Sequence, residues 1–227
     1  MGGVQLLTGA LCKILDALAP PTCAACDAPG RPTFCPTCAA LAPALPLDDP
    51  APEVDGVPLF VAGAYAPPLS TAIARFKYQG RAELACCLSR LVAPALGSLA
   101  LPPGSALVPV PLHPRRLASR GYNQAALLAQ ELAKQAGLRC EARLLRRARE
   151  TERQVGKSRR LRLTNAEGAF ELRRAWRWGS SAAPAHAVLV DDVVTTGSTV
   201  RECARALAAG GVEVLAIVAL ARALPAR

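Results

Sequence analysis

Ala187-Val188-Leu189-Val190-Asp191-Asp192-Val193-Val194-Thr195-Thr196-Gly197-Ser198-Thr199 is the stretch that decides the fold. Four apolar residues read as a strand buried on both faces, and two adjacent carboxylates stand at its C-terminal end. A small hydroxyl- and glycine-rich turn follows. After it comes a helix whose apolar positions Val200, Cys203, Ala204 and Leu207 recur at helical spacing. In an open α/β sheet such a strand points its C-terminal end at the ligand crevice. The turn presents backbone N–H groups and hydroxyls at a helix N-terminus, where the dipole favours a phosphate. Two carboxylates beside that phosphate can accept hydrogen bonds from sugar hydroxyls, so the run describes a pocket for a ribose 5-phosphate. Either half alone has an ordinary reading, since an Asp-Asp pair at a strand end is common and a Thr or Ser serves as a plain N-cap. The order of the whole run, in a strand–turn–helix context, favours the pocket.

Outward from this run the chain alternates strands and helices. Strands are predicted over 59–66, 106–110, 140–145, 168–172, 186–191 and 212–220. Helices are predicted over 69–78, with Ile73 and Phe76 inward, over 83–96 with an interruption near Pro94, and over 122–135 and 200–209. The alternation predicts an α/β fold with a doubly wound, mainly parallel sheet.

A second informative stretch is Val108-Pro109-Val110-Pro111-Leu112-His113-Pro114-Arg115-Arg116, continuing to Arg120-Gly121-Tyr122-Asn123-Gln124. A strand ends in a proline-stiffened loop with three arginines, whose forks suit polyphosphate oxygens. A solvated approach to the next helix is the competing reading for each arginine, and a loop residue without a role is the competing reading for His113. His186 is read as structural. A third stretch, 146–170, is too long and polar for a plain connection and reads as a lid or a loose loop. It carries Gln154, Lys157 and Arg159. Gly156-Lys157-Ser158 is no P-loop, because Thr151 stands where that motif needs glycine and no apolar strand precedes it. The net charge of +10 is concentrated here: residues 139–177 hold thirteen Arg or Lys against five Glu. This points to an anionic partner, unless it is a solvated arginine face.

The N-terminal part adds two features. Leu7, Leu11, Ile14, Leu15 and Leu18 share one face of an amphipathic helix expected to dock on the body. Lys13 and Asp16 interrupt it, so no signal peptide and no membrane span are expected, and the chain is expected to be cytoplasmic. Cys23, Cys26, Cys35 and Cys38 form paired CxxC motifs, the spacing of a closed four-thiolate structural zinc site. The remaining cysteines, Cys12, Cys86, Cys87, Cys140 and Cys203, read as core thiols. The organisation expected is a helix over 1–20, a zinc knuckle over 21–40, a Pro- and Ala-rich linker over 41–57 and an α/β domain over 58–227.

The run 187–199 resembles the phosphoribosyl-pyrophosphate (PRPP) signature of the type I phosphoribosyltransferases. Along nearly its whole length the chain resembles the ComF family of competence-associated, phosphoribosyltransferase-like proteins. The resemblance rests on Pro20-Pro21, the four cysteines, Val108 to His113, Arg120 to Gln124, Thr151-x-x-Gln154, Asn165 with Gly168-Ala169-Phe170, and Asp191 to Thr199. It implies a type I phosphoribosyltransferase-like fold that binds PRPP with Mg²⁺. Asp191 and Asp192 would hold the ribose hydroxyls, and Val193, Val194, Thr195, Thr196, Gly197, Ser198 and Thr199 would wrap the 5-phosphate. His113, Arg115, Arg120, Gln154, Lys157 and Arg159 are candidates for the pyrophosphate and its loop. It also implies a role with incoming single-stranded DNA, or with DNA-processing proteins of the competence machinery. Lys157 stands where the family usually has an apolar residue and Leu161 where it often has an acidic one, which leaves the loop more positive. Two functions follow: Mg²⁺-dependent displacement of pyrophosphate from PRPP by an unnamed acceptor, or a non-catalytic module that senses a nucleotide or binds single-stranded nucleic acid on the same fold.

Overall fold

A computed structural model describes residues 20–30, 32–42, 52–147, 168–173 and 183–223. Six strands form one sheet in the order β1-β2-β8-β7-β3-β4. They are β1 (Glu53–Val54), β2 (Val57–Ala64), β3 (Ala106–Pro109), β4 (Arg139–Cys140), β7 (His186–Val194) and β8 (Glu213–Arg222). All neighbours are parallel except the β1–β2 hairpin. A separate antiparallel pair joins β5 (Leu145–Arg147) to β6 (Phe170–Leu172). The doubly wound, mainly parallel sheet expected from the alternation is present.

Period-two alternation on β7 builds the two halves of the core. Val188 and Val190 face an apolar layer formed with α2 (Leu69–Tyr78), α3 (Leu84–Gly97) and α5 (Gln124–Ala136). Ala187 and Leu189 face the opposite layer, where α6 (Ser198–Ala208) brings Val200, Cys203 and Leu207, and the β5–β6 pair brings Leu145, Phe170 and Leu172. All four β7 residues are at most 1% exposed, as the unbroken apolar run requires.

Four sequence expectations are revised. Residues 140–145 are not one strand: Cys140 pairs with Leu107 at the sheet edge, and after a turn Leu145 pairs with Leu172 in the small sheet. Leu144 and Leu145 are drawn under α6, into the layer opposite to the one Cys140 packs against, and a single straight strand cannot serve both. α3 runs through Pro94 without breaking, because Val92 and Leu96 on either side are buried on one helix face while Pro94 is exposed. The sheet begins at Glu53, inside the stretch 41–57 read as linker, where the Asp55-Gly56 turn closes a hairpin. Among the supposed core thiols, Cys203 is buried, Cys87 and Cys140 are half-buried and Cys86 is exposed. Cys12 and the helix expected over 1–20 lie outside the described residues, apart from Pro20.

The cysteine knuckle, which includes the short helix α1 (Pro36–Ala40), is built into the body. Cys23, Ala24, Phe34 and Cys38 belong to the same apolar layer as Ile73, Phe76 and Leu88. Arg75 on α2 pairs with Asp27 through both guanidinium nitrogens, which holds the Asp27 carboxyl below its ordinary value. Arg81 donates to the Thr22 carbonyl at 2.8 Å. Phe76 ties this layer to the cleft end of the sheet: its ring is fully buried and its carbonyl accepts from the Tyr122 hydroxyl and from Gln124 Nε2. Truncation by Phe76→Ala is expected to destabilise the protein by about 3–5 kcal/mol, read from the shift in a urea unfolding curve.

Candidate functional site

Parallel strands open their C-terminal ends at one edge of the sheet, and a cleft of about 410 Å³ lies there. β7 runs on through the paired carboxylates to Val194, so Asp191 and Asp192 belong to the strand and do not follow it. They sit opposite different layers. The charge of Asp191 is felt by Cys203 on α6, whereas Asp192 Oδ1 is 2.7 Å from Lys77 Nζ at the end of α2. Lys77 and Asp192 are each less than one-sixth exposed, so the pair is shielded from screening by solvent. Among the described residues Asp191 has no such cation of its own. Burial and the neighbouring Asp192 charge push its carboxyl up to about 7, against the partial relief of the Asp192 N–H and Lys77.

The turn after β7 is fixed by sterics and by the hairpin beside it. Gly197 has φ +77°, and a Cβ there would stand 3.0 Å from both methyls of Val54 on β1. Both conditions select glycine. Arg201 on α6 reaches Asp55 at 2.8 Å and clasps the hairpin to the helix that starts at Ser198. The Thr196 hydroxyl donates to Ser198 Oγ at 3.2 Å. Thr195 and Thr199 face the cleft. Thr195 also joins Thr196 and Gly197 around a recess of about 90 Å³ under the hairpin. Val194 is buried behind the turn and Val193 lines the cleft.

The opposite wall comes from the loop after β3. A short helix not foreseen in the sequence, α4 (Pro114–Arg120), starts where His113 Nδ1 accepts from the Arg115 N–H at 3.2 Å. His113 is therefore an N-cap, and neither it nor Arg115 lines the cleft. Arg116 and Arg120 do. Arg120 donates to Gln124 Oε1 at 3.1 Å and to the Tyr78 hydroxyl at 3.2 Å, with its guanidinium 4.8 Å from the Tyr78 ring centre. Asn123 caps α5 and donates to the Val110 carbonyl at 3.0 Å, which pins the helix start to the end of β3. Arg147 on β5 completes the cation set; burial and nearby Arg116 hold its pKa below the usual value.

Of the residues singled out from sequence, the structure thus brings Asp191, Asp192, Val193, Thr195, Thr199 and Arg120 around one cleft. Gln154, Lys157 and Arg159 lie outside the described residues. Lys77, Tyr65, Tyr78 and Arg147 line the cleft without having been anticipated as site residues. Only the strand topology reveals Lys77, which is 115 positions from Asp192 in the chain.

Away from the cleft, the four knuckle sulfurs lie within 4.8 Å of one another. Cys35 starts α1, its Sγ accepting from the Cys38 N–H. Cys23 Sγ accepts from the N–H groups of Cys35 and Ala25. Burial raises the Cys23 thiol, but backbone N–H groups of Cys35, Cys26 and Ala25 outweigh it and bring it down to about 6. Four sulfurs at this spacing suit a tetrahedral thiolate site, so the cluster is positioned to bind a metal such as zinc. No helix among the described residues is long and apolar enough to cross a membrane.

The phosphoribosyl transferase domain family matches residues 117–226. DNA utilization protein YhgH of Salmonella typhimurium is 37% identical over 204 residues, 86% of each chain. The YhgH of Salmonella typhi is 40% identical over 70% of each. Competence protein F of Haemophilus influenzae is 37% identical over 73% of this chain and 72% of its own. The likeness to a solved adenine phosphoribosyltransferase from Leishmania tarentolae is slight, with a TM-score of 0.37, 16% identity and coverage of 64% and 73% of the two chains.

The raised Asp191 carboxyl has a consequence for stability. The unfolded carboxyl ionises near 3.8 and the folded one near 7, so the folded state holds the extra proton between those values. The contribution is fully present below pH 3.8 and is lost as the pH rises through 7. Asp191→Asn is expected to unfold at a higher temperature than the wild type at pH 8, with the difference closing below about pH 4, in melting curves taken across that range.

Proposed function

Because the chain belongs to the ComF family, with competence protein F and DNA utilization protein YhgH, we propose that it binds PRPP in the β7 cleft and transfers its phosphoribosyl group. The observation that carries this reading is the carboxylate pair on β7, followed at once by the hydroxyl turn into α6, on a cleft faced by Lys77, Arg116, Arg120 and Arg147. Carboxylates accept from ribose hydroxyls, the turn and the α6 N-terminus receive the 5-phosphate, and the guanidinium forks receive the pyrophosphate. Gln154, Lys157 and Arg159, outside the described residues, are proposed from the sequence alone as further pyrophosphate ligands.

In the reaction a lone pair of the acceptor bonds to the anomeric carbon as the bond to pyrophosphate breaks. Pyrophosphate leaves with the electron pair, and the acceptor gives up its proton. The ribose carries positive charge in an oxocarbenium-like transition state, so the protein contributes positioning and charge complementarity without forming a bond. Asp191 and Asp192 orient the sugar and oppose the developing positive charge. The cations on the other wall stabilise the negative charge on the leaving group. Carboxylate oxygens suit a divalent cation, and Mg²⁺ held by Asp191 or Asp192 with the substrate phosphates would neutralise the pyrophosphate. The relatives' names favour a place in DNA utilization and competence.

Calorimetry with PRPP and Mg²⁺ tests the pocket. Binding to the wild type and a loss of about 10–100-fold in Asp191→Ala/Asp192→Ala are expected, the scale of hydrogen bonds to charged groups. Equal affinity in the variant, or no binding to the wild type, rejects the reading. Pyrophosphate release across a panel of bases, amines and oligonucleotides identifies the acceptor.

We assign the knuckle a structural zinc, with all four coordination positions filled by cysteine. Its packing against α2 and α3 makes the metal a stabiliser of the α/β body. One zinc per chain by atomic emission is expected. Chelation or Cys38→Ala is expected to lower the melting midpoint of the whole protein, not of a detached segment.

A further inference from the structure

Beside the cleft is a second bay of about 390 Å³, bounded by Lys77, Tyr78, Gly80, Arg116, Ser119 and Arg120. Four of these residues also line the cleft, while Gly80 and Ser119 belong to the bay alone. No carboxylate is among its walls. Lys77 is committed to Asp192, but Arg120 is held by two neutral partners, Gln124 and the Tyr78 hydroxyl. No carboxylate pairs with Arg116 or Arg120 among the described residues. Arg116 also lies near enough to Arg147 for the two like charges to act on each other. The oriented Arg120 guanidinium, with Arg116 on the same bay, makes it a receptor for an anion with several oxygens.

The aromatic wall narrows the class of anion. Tyr78 is 69% exposed, which is unusual for a ring whose hydroxyl and one neighbouring guanidinium are already fixed. A phosphate alone has no use for an exposed ring, whereas a nucleobase stacks on one and a guanidinium beside it adds to the attraction. Tyr65, 41% exposed, is the other exposed aromatic of the described residues and also lines the cleft. A groove for a continuous strand needs successive stacking rings along a path, and this bay offers one.

We propose that the bay is a subsite for a nucleoside phosphate, with its base on Tyr78 and its phosphate between Arg116 and Arg120. It uses the Arg116 and Arg120 that the proposed cleft reading gives to pyrophosphate, and rests on that reading in one respect: a nucleotide held here and PRPP exclude one another. The nucleotide is thereby a competitive effector of the ribose pocket.

Adenosine 3′-monophosphate is the suitable probe, because its phosphate does not imitate the 5-phosphate of the neighbouring cleft. By calorimetry the wild type is expected to bind it at least tenfold more tightly than adenosine or inorganic phosphate. Tyr78→Ala and Ser119→Glu should each weaken it about tenfold, the first by removing the stacking face and the second by placing a negative charge on a wall of the bay. Ser119 is exposed on α4, so its substitution leaves the fold intact, and PRPP should displace the nucleotide from the wild type. Nucleotide binding should also survive in Asp191→Ala/Asp192→Ala. The proposal is overturned by a nucleotide that binds no better than phosphate, by wild-type affinity in Ser119→Glu, or by loss of binding in the aspartate variant, which would place the ligand in the cleft. Binding of a single-stranded oligonucleotide without binding of the monophosphate overturns it as well. Failure of PRPP to bind would reject the cleft reading and leave these outcomes decisive for the bay.

Discussion

Burial of β7 on both faces is the constraint from which the rest of the molecule follows. Ala187 to Val190 exclude water from two layers at once, and each layer is complete only because alternate side chains of this one strand reach into it. Parallel neighbours on both sides satisfy its backbone groups, which leaves its C-terminal end as the place where polar residues can leave the core. Asp191 and Asp192 stand there. The pair inherits the two-sidedness of the strand: one carboxylate faces the α6 layer with no cation of its own among the described residues, and the other meets Lys77 from the α2 layer. A protein folded around such a strand has a built-in electrostatic asymmetry at its cleft, before any ligand arrives.

Much of this was legible in the chain. The unbroken apolar run, the acidic pair and the Thr-Gly-Ser-Thr turn are local signals, and local signals set the strand, the cleft end and the helix start. The paired CxxC motifs likewise marked the sulfurs that lie together. What escaped reading depends on distance along the chain. Lys77 carries no local mark of its role; it reaches Asp192 because β2 and β7 flank β8 and α2 returns across that face. The division of 140–145 between two sheets, and the survival of α3 across Pro94, are decided by which layer buries Leu145, Val92 and Leu96, a tertiary choice that overrides strand and helix propensity. His113 shows the reverse: a residue type suggestive of chemistry is used to start a seven-residue helix.

The knuckle alters the usual view of a small metal module as an appendage. Asp27 and Phe34 are joined to α2 and α3 by an ion pair and shared apolar burial, and the Arg81 side chain between the two helices donates to the Thr22 carbonyl. α2 carries Arg75 toward the knuckle, Phe76 into the core and Lys77 to the cleft in three consecutive residues. The cysteine site and the carboxylate site are thus both tied to the last turn of one helix.

Val54 and Gly197 lie 143 positions apart, yet they share a single small volume in which there is room for one side chain only. In packing terms the two positions behave as one. A hairpin residue larger than valine would press on the turn after β7 itself, and a smaller one would release the packing that keeps the turn tight. The edge hairpin therefore sets how closely the chain can wind between β7 and α6, and the side chain tolerated at this far edge of the sheet is decided by a glycine at its centre.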